Sequence, residues 1–279
     1  MISTFADTQY IIHLDSHQRL SGSHQDGTYK IQLDGYKIQD FDRIVVLSAT
    51  VPKSYYAIEN GFNQFSIFEN SVEKVITIPV GTYSASQFKD RLPEIINAVT
   101  TYTYSMSFDI VTAKFTYTVT GRADPVAEQV YIRTTINVYE QLGFTGNNDF
   151  YFSSDATGVL ISTTVIDMSP ENNIFIRSDI CQSADNNSNI LQDLQGSSVP
   201  PYGQINYQCT NLEGYSKGLN NNSDIYRFYI TNEDDEGVGQ RILQLNDKNW
   251  TATLLLYKRT TLPKMIKNTI KLNALKNNI

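Results

Sequence analysis

The sequence predicts a mainly β protein, two packed antiparallel sheets interrupted by a small inserted α+β region. Three observations carry that prediction. The chain holds 18 Tyr and 13 Phe in 279 residues, beside many Val, Ile and Thr in short runs, the residue set that fits a half-buried pleated surface. Clusters of Gly, Asn, Asp and Ser, the residues that turns select, separate those runs. Between about residues 63 and 165 the texture changes, and a helix signal stands among the strands. With 41% apolar and 18% charged residues, a chain of this length can bury one large or two modest cores.

The first strands are expected at residues 10–15 (YIIHLD), 28–33 (TYKIQL) and 43–51 (RIVVLSATV), the last closed by Pro52. The insertion then opens with FSIF and KVITIPV and the turn Gly81-Thr82-Tyr83. Ser84, with Gln87 three residues later, makes a capping box, in which the two side chains satisfy free N–H groups at a helix start. Phe88, Leu92, Ile95, Ile96 and Val99 follow at helical spacing, while Pro93 predicts a kink or a delayed start. Alternating runs at 102–108 and 114–120 read as a hairpin, with a further strand at 130–134. Residues 137–144 read as a short helical turn stopped by Gly143 in the left-handed conformation, which completes a compact β-α-β-β insertion.

Strands resume at 173–179, 189–194, 204–209, 225–231 and 250–258. Three strands before the insertion and five after it make eight. Eight antiparallel strands joined by long polar connections suit two packed sheets in a jelly roll better than an up-and-down barrel. The expected organisation is therefore a single eight-stranded antiparallel jelly roll in two parts, 1–60 and 169–258. An α+β domain is inserted at 61–168, and a basic tail follows at 259–279.

Composition excludes several classes. The longest apolar runs, such as 44–47 and 254–257, fall far short of the roughly 18 to 20 residues that span a bilayer as a helix. The opening MISTFADTQYIIHLD lacks a basic stretch followed by a long apolar one, so no Sec signal peptide is expected. Cys181 and Cys209 are the only cysteines; they form no metal knuckle and read as small core residues of a reduced, intracellular product.

Catalytic and metal signatures are sparse. His13, followed two residues on by Asp15, has no third ligand at suitable spacing and reads as a strand-surface imidazole, so no metal is assigned. The acidic stretch 232–237 imitates the start of a calcium loop, but Leu243 stands where a bidentate Glu is required, and a solvated turn is the simpler reading. No nucleophile elbow, phosphate loop, dinucleotide fingerprint or zincin motif occurs. A glycosidase carboxylate pair would meet only in the fold, and the sequence names none. Neither a catalytic residue nor a cofactor is therefore expected. Glycosylation sequons at Asn186, Asn221 and Asn249 read as chance tripeptides of an Asn-rich chain.

Charge is distributed unevenly. The first 257 residues carry 16 bases and 29 acids, a net -13, whereas Lys258, Arg259, Lys264, Lys267, Lys271 and Lys276 face no acid after them. The acidic body is a poor general binder of nucleic acid, since phosphate affinity comes from clustered Lys and Arg. After Pro263, Met265, Ile266, Ile270 and Leu272 share one helical arc while Lys264, Lys267 and Lys271 cluster opposite. Such a basic amphipathic segment suits an acidic neighbouring subunit, packaged nucleic acid or a membrane surface; a frayed solubilising tail is the plainer alternative.

Three opening motifs carry a family resemblance: Leu14-Asp15-Ser16-His17-Gln18-Arg19, Tyr29-Lys30-Ile31-Gln32-Leu33, and the run from Arg43 through Val51-Pro52-Lys53-Ser54 to Tyr56. Ile76-Thr77-Ile78-Pro79-Val80-Gly81-Thr82-Tyr83-Ser84, Gln141-Leu142-Gly143-Phe144, Ile174-Phe175-Ile176-Arg177-Ser178-Asp179 and a closing Leu-rich strand follow in the same order. Across nearly the whole chain this order resembles the penton, or vertex, capsid proteins of double-jelly-roll DNA viruses: virophages, polinton-like viruses and nucleocytoplasmic large DNA viruses. The resemblance implies a jelly roll with an outer insertion, assembled as a homopentamer at each fivefold vertex among trimers of the major capsid protein. It implies a virion protein made inside the infected cell, without catalysis, which can also meet minor capsid proteins, a vertex fibre or a host receptor. The alternatives are another minor capsid protein of the same viruses, a carbohydrate- or receptor-binding β-sandwich, which affinity in a glycan screen would reveal, and a glycoside hydrolase.

Overall fold

The structure is a computed structural model that describes residues 8–134, 138–169, 173–182, 189–232 and 241–258. In chain order its elements are β1 (Gln9–Asp15), β2 (Ser21–Gly22), β3 (Asp26–Lys30), β4 (Arg43–Pro52), β5 (Gln64–Glu69), β6 (Val72–Thr77) and α1 (Ala85–Asn97). Then come β7 (Thr103–Asp109), β8 (Lys114–Thr120), β9 (Val130–Arg133), α2 (Tyr139–Leu142), β10 (Asp149–Tyr151) and β11 (Gly158–Ile161). The last strands are β12 (Asn173–Ser178), β13 (Cys181–Gln182), β14 (Ile190–Gln195), β15 (Gln204–Gln208), β16 (Lys217–Leu219), β17 (Ile225–Asn232) and β18 (Thr251–Tyr257). The protein is mainly β, and the chain divides into two compact units, Met1–Ser54 with Asn172–Ile279, and Tyr55–Glu171.

The first unit contains two antiparallel sheets. One runs β1-β18-β4-β16-β13, with β15 also paired to β4; the other runs β14-β12-β17-β3-β2. Eight of these strands have five residues or more, while β2, β13 and β16 have two or three. The β-branched run of β4 explains its central place: Ile44, Val45, Val46 and Val51 are all buried, with Leu256, Leu255 and Leu254 of β18 opposite the first three. On β17, by contrast, Tyr226 and Phe228 alternate with more exposed neighbours, so a single face enters the core until Ile230, Thr231 and Asn232, where both faces are buried. The chain passes between sheets repeatedly: β1, β4, β15 and β18 belong to the first, and β3, β12, β14 and β17 to the second.

The second unit has two sheets of its own, β10-β9-β5-β6 and β11-β8-β7. It is richer than the β-α-β-β expectation, because β10 and β11 join after α2. Helix α1 starts where the capping box predicts, with Ser84 accepting from the Gln87 N–H and Gln87 accepting in return from the Ser84 N–H. Pro93 lies inside the helix and does not delay its start. Phe88, Leu92 and Ile96 enter a core shared with Phe65, Ile67, Phe115, Tyr117, Val119 and Ile132. Gly143 closes α2 at φ 80°, where a Cβ would lie 2.6 Å from the Ser162 side chain, so both conformation and space select glycine.

Candidate functional site

The basic tail is rooted in the β1-β18-β4 sheet. Tyr257, the last residue of β18, stands opposite Gln9 on one side and Arg43 on the other, and the Lys258 N–H donates to the Thr8 carbonyl at 3.2 Å. Arg43 also pairs with Gly218, beside Lys217. One end of this sheet thus gathers Arg43, Lys217 and the exposed Lys258, and a central strand anchors the start of whatever follows. Arg259, Lys264, Lys267, Lys271 and Lys276 lie outside the described residues.

Other sequence candidates find local roles. His13 faces out of β1, and its Nδ1 lies 3.2 Å from the hydroxyl of its cross-strand partner Thr253. Among the described residues no group of three His, Cys, Asp or Glu could hold a metal ion. The acidic residues 233–236 lie outside the described residues, and Leu243 is buried with its N–H donated to the Ile230 carbonyl. Cys181 is buried and Cys209 half-buried; burial pushes the Cys181 thiol up to about 12, which keeps it protonated and unreactive.

Two features of the fold were not legible beforehand. On the outer face of β10-β9-β5, Tyr151, Tyr131 and Phe68 form one cross-strand row, with ring centroids 4.9 and 4.6 Å apart. Arg133 covers Phe68 at 4.5 Å and clasps Asp149 in a bidentate pair at 2.6 and 2.8 Å. That pairing holds the Asp149 carboxyl below its ordinary range.

The second feature is a cavity of about 320 Å³ lined by His17, Arg19, Leu20, Ser21, Gly22 and His24. Its walls come from the loop between β1 and β3. The Asp15 carboxylate accepts from the His17 N–H, while buried Ser16 exchanges hydrogen bonds with the Trp250 backbone and the Trp250 indole donates to the His24 carbonyl at 2.6 Å. Gly22, at φ 89°, turns the chain where a Cβ would meet the Asp26 carbonyl at 2.2 Å. The only advance signal is the crowding of two histidines, an arginine and a glycine into eight residues.

No family model and no curated protein matches the sequence. Among solved structures, the chain is similar to the mavirus penton protein at TM-score 0.45 and 11% identity, over 90% of this chain and 99% of that one. It is also similar to a chain of the Sputnik virophage structure solved at 3.5 Å by cryo-EM, at TM-score 0.38 and 12% identity, over 89% and 98% of the two chains.

Proposed function

We propose that this chain is a structural capsid protein that forms the pentameric capsomer at the fivefold vertices of an icosahedral virus particle. The strand order carries this reading. The long strands of the first unit run β1-β18-β4-β15 in one sheet and β3-β17-β12-β14 in the other, an order that supports the eight-stranded jelly-roll reading, an architecture recurrent in viral capsids. The second unit enters between β4 and β12, and the motif order resembles vertex proteins along the same path.

In this reading the jelly roll, 1–60 and 169–258, builds the ring wall, and the insertion at 61–168 projects outward toward a fibre or host receptor. Residues 259–279 grip a neighbour, a packaged nucleic acid or a membrane. A fivefold ring needs heterologous contacts, one face of a subunit against a different face of the next, and an acidic body with a basic tail supplies complementary charge. Major capsid protein trimers surround the ring, and its place is the virion vertex, reached by assembly inside the infected cell. The role is architectural, with no reaction to catalyse. Truncation after Lys258 is expected to leave a folded protein that fails to enter capsids; normal incorporation would remove the tail from the mechanism.

A carbohydrate-binding module is the second reading, favoured by the exposed Tyr151 ring and the half-buried Tyr131 beside it, next to the fixed Arg133–Asp149 pair.

A further inference from the structure

The Arg19 guanidinium is half-buried and bound only to neutral groups. Its Nε donates to the Gly22 carbonyl at 2.9 Å, and its Nη1 donates to the Ser16 carbonyl at 2.7 Å and meets His24 Nδ1 at 3.3 Å. Among the described residues no carboxylate lies within ion-pair distance of it, and its Nη2 makes no hydrogen bond. The two carboxylates nearest in sequence are engaged elsewhere, Asp15 on the His17 N–H and Asp26 in a bidentate pair with Arg227 at 2.6 and 2.8 Å. A fixed cation without a counter-charge therefore borders an open cavity whose lining contains no acid.

The neighbouring ring extends this donor set. A guanidinium carries donors and no acceptor, so His24 Nδ1 must accept from Arg19, and the proton of the neutral ring then sits on Nε2. His17 also lines the cavity, and its ring makes no hydrogen bond among the described residues. The site is rigid, because Ser16 and His24 are both tied to Trp250 and Gly22 is held by its turn. Preorganised donors around a charged guanidinium are the chemistry that recognises oxyanions.

We propose that this cavity is a binding site for a phosphate-type oxyanion, held by Arg19 Nη2 with His17 and His24. The proposal stands independently of the vertex reading. It is distinct from the tail's charge, since every lining residue belongs to the loop between β1 and β3.

The chain's three histidines supply both probe and control. Ring resonances of the full-length protein would be followed by 1H–15N NMR as inorganic phosphate replaces chloride at constant pH and ionic strength. Saturable shifts are expected at His17 and His24, with His13, which faces out of β1, unmoved. Arg19→Gln should weaken the apparent affinity by at least about tenfold, the scale of a charge-assisted contact. His17→Gln, which leaves every loop tie in place, should weaken it severalfold and so guards against a loop that merely unfolds. A parallel titration with oligothymidylate separates the sources: tighter binding than inorganic phosphate assigns the site to a nucleic-acid backbone, and no gain assigns it to free phosphate. Equal, unsaturated shifts in all three rings, or affinity unchanged in both variants, would overturn the proposal.

Discussion

Glu69 is 4% exposed and accepts hydrogen bonds from the Thr101 and Tyr102 N–H groups at 2.8 and 3.0 Å and from the Tyr104 hydroxyl at 3.0 Å. Burial, reinforced by the Glu69 charge, pushes the Tyr104 hydroxyl far above its ordinary range, so the phenol remains a donor. This carboxylate has a structural task, and no sequence pattern marks it, because its three donors lie more than 30 residues away. Glu69→Ala leaves three donors unmatched and is expected to cost about 3 kcal/mol, read as a lower urea midpoint at unchanged slope. Cys181 gives the pH dependence its sign. Burial raises its thiol from 9.0 to about 12, so the folded state holds a proton that the unfolded chain releases. Its contribution is whole below pH 9 and falls as pH rises toward 12; Cys181→Ala should flatten that part of a stability–pH curve.

At the scale of elements, the legible parts were those specified locally. The Ser84–Gln87 box placed the start of α1, Gly143 placed the end of α2, and the alternation of residues 114–120 coincides with β8. Ser84→Ala should lower stability by about 1 kcal/mol, seen as an earlier thermal transition, because it removes the acceptor for the Gln87 N–H. Pro93 does not delay the helix start, one of the two effects expected of it: the buried Phe88, Leu92 and Ile96 hold the helix through it, so packing outweighs the lost backbone bond. Strands β13 and β16 were invisible because pairing across the fold makes them, as with Cys181 opposite Leu219, and β2, two residues paired with nearby β3, is too short to show alternation. The strand expected at 28–33 ends at Lys30, after which the Ile31 N–H donates to the carbonyl of Asp224, the residue just before β17.

The whole molecule depends on information that no local pattern holds. Alternation says that a strand has a buried face, yet β1 beside β18 joins residues some 240 apart, and only the finished sheet reveals that order. The cavity beside Arg19 was equally illegible, since Trp250 must fold against Ser16 before the loop takes shape. If five copies of this chain close a ring, its mass in solution reports it. Light scattering of the full-length protein across concentration and ionic strength is expected to reach five times the 31.6 kDa chain mass. A closed dimer or trimer, or a monomer at every concentration, would contradict it.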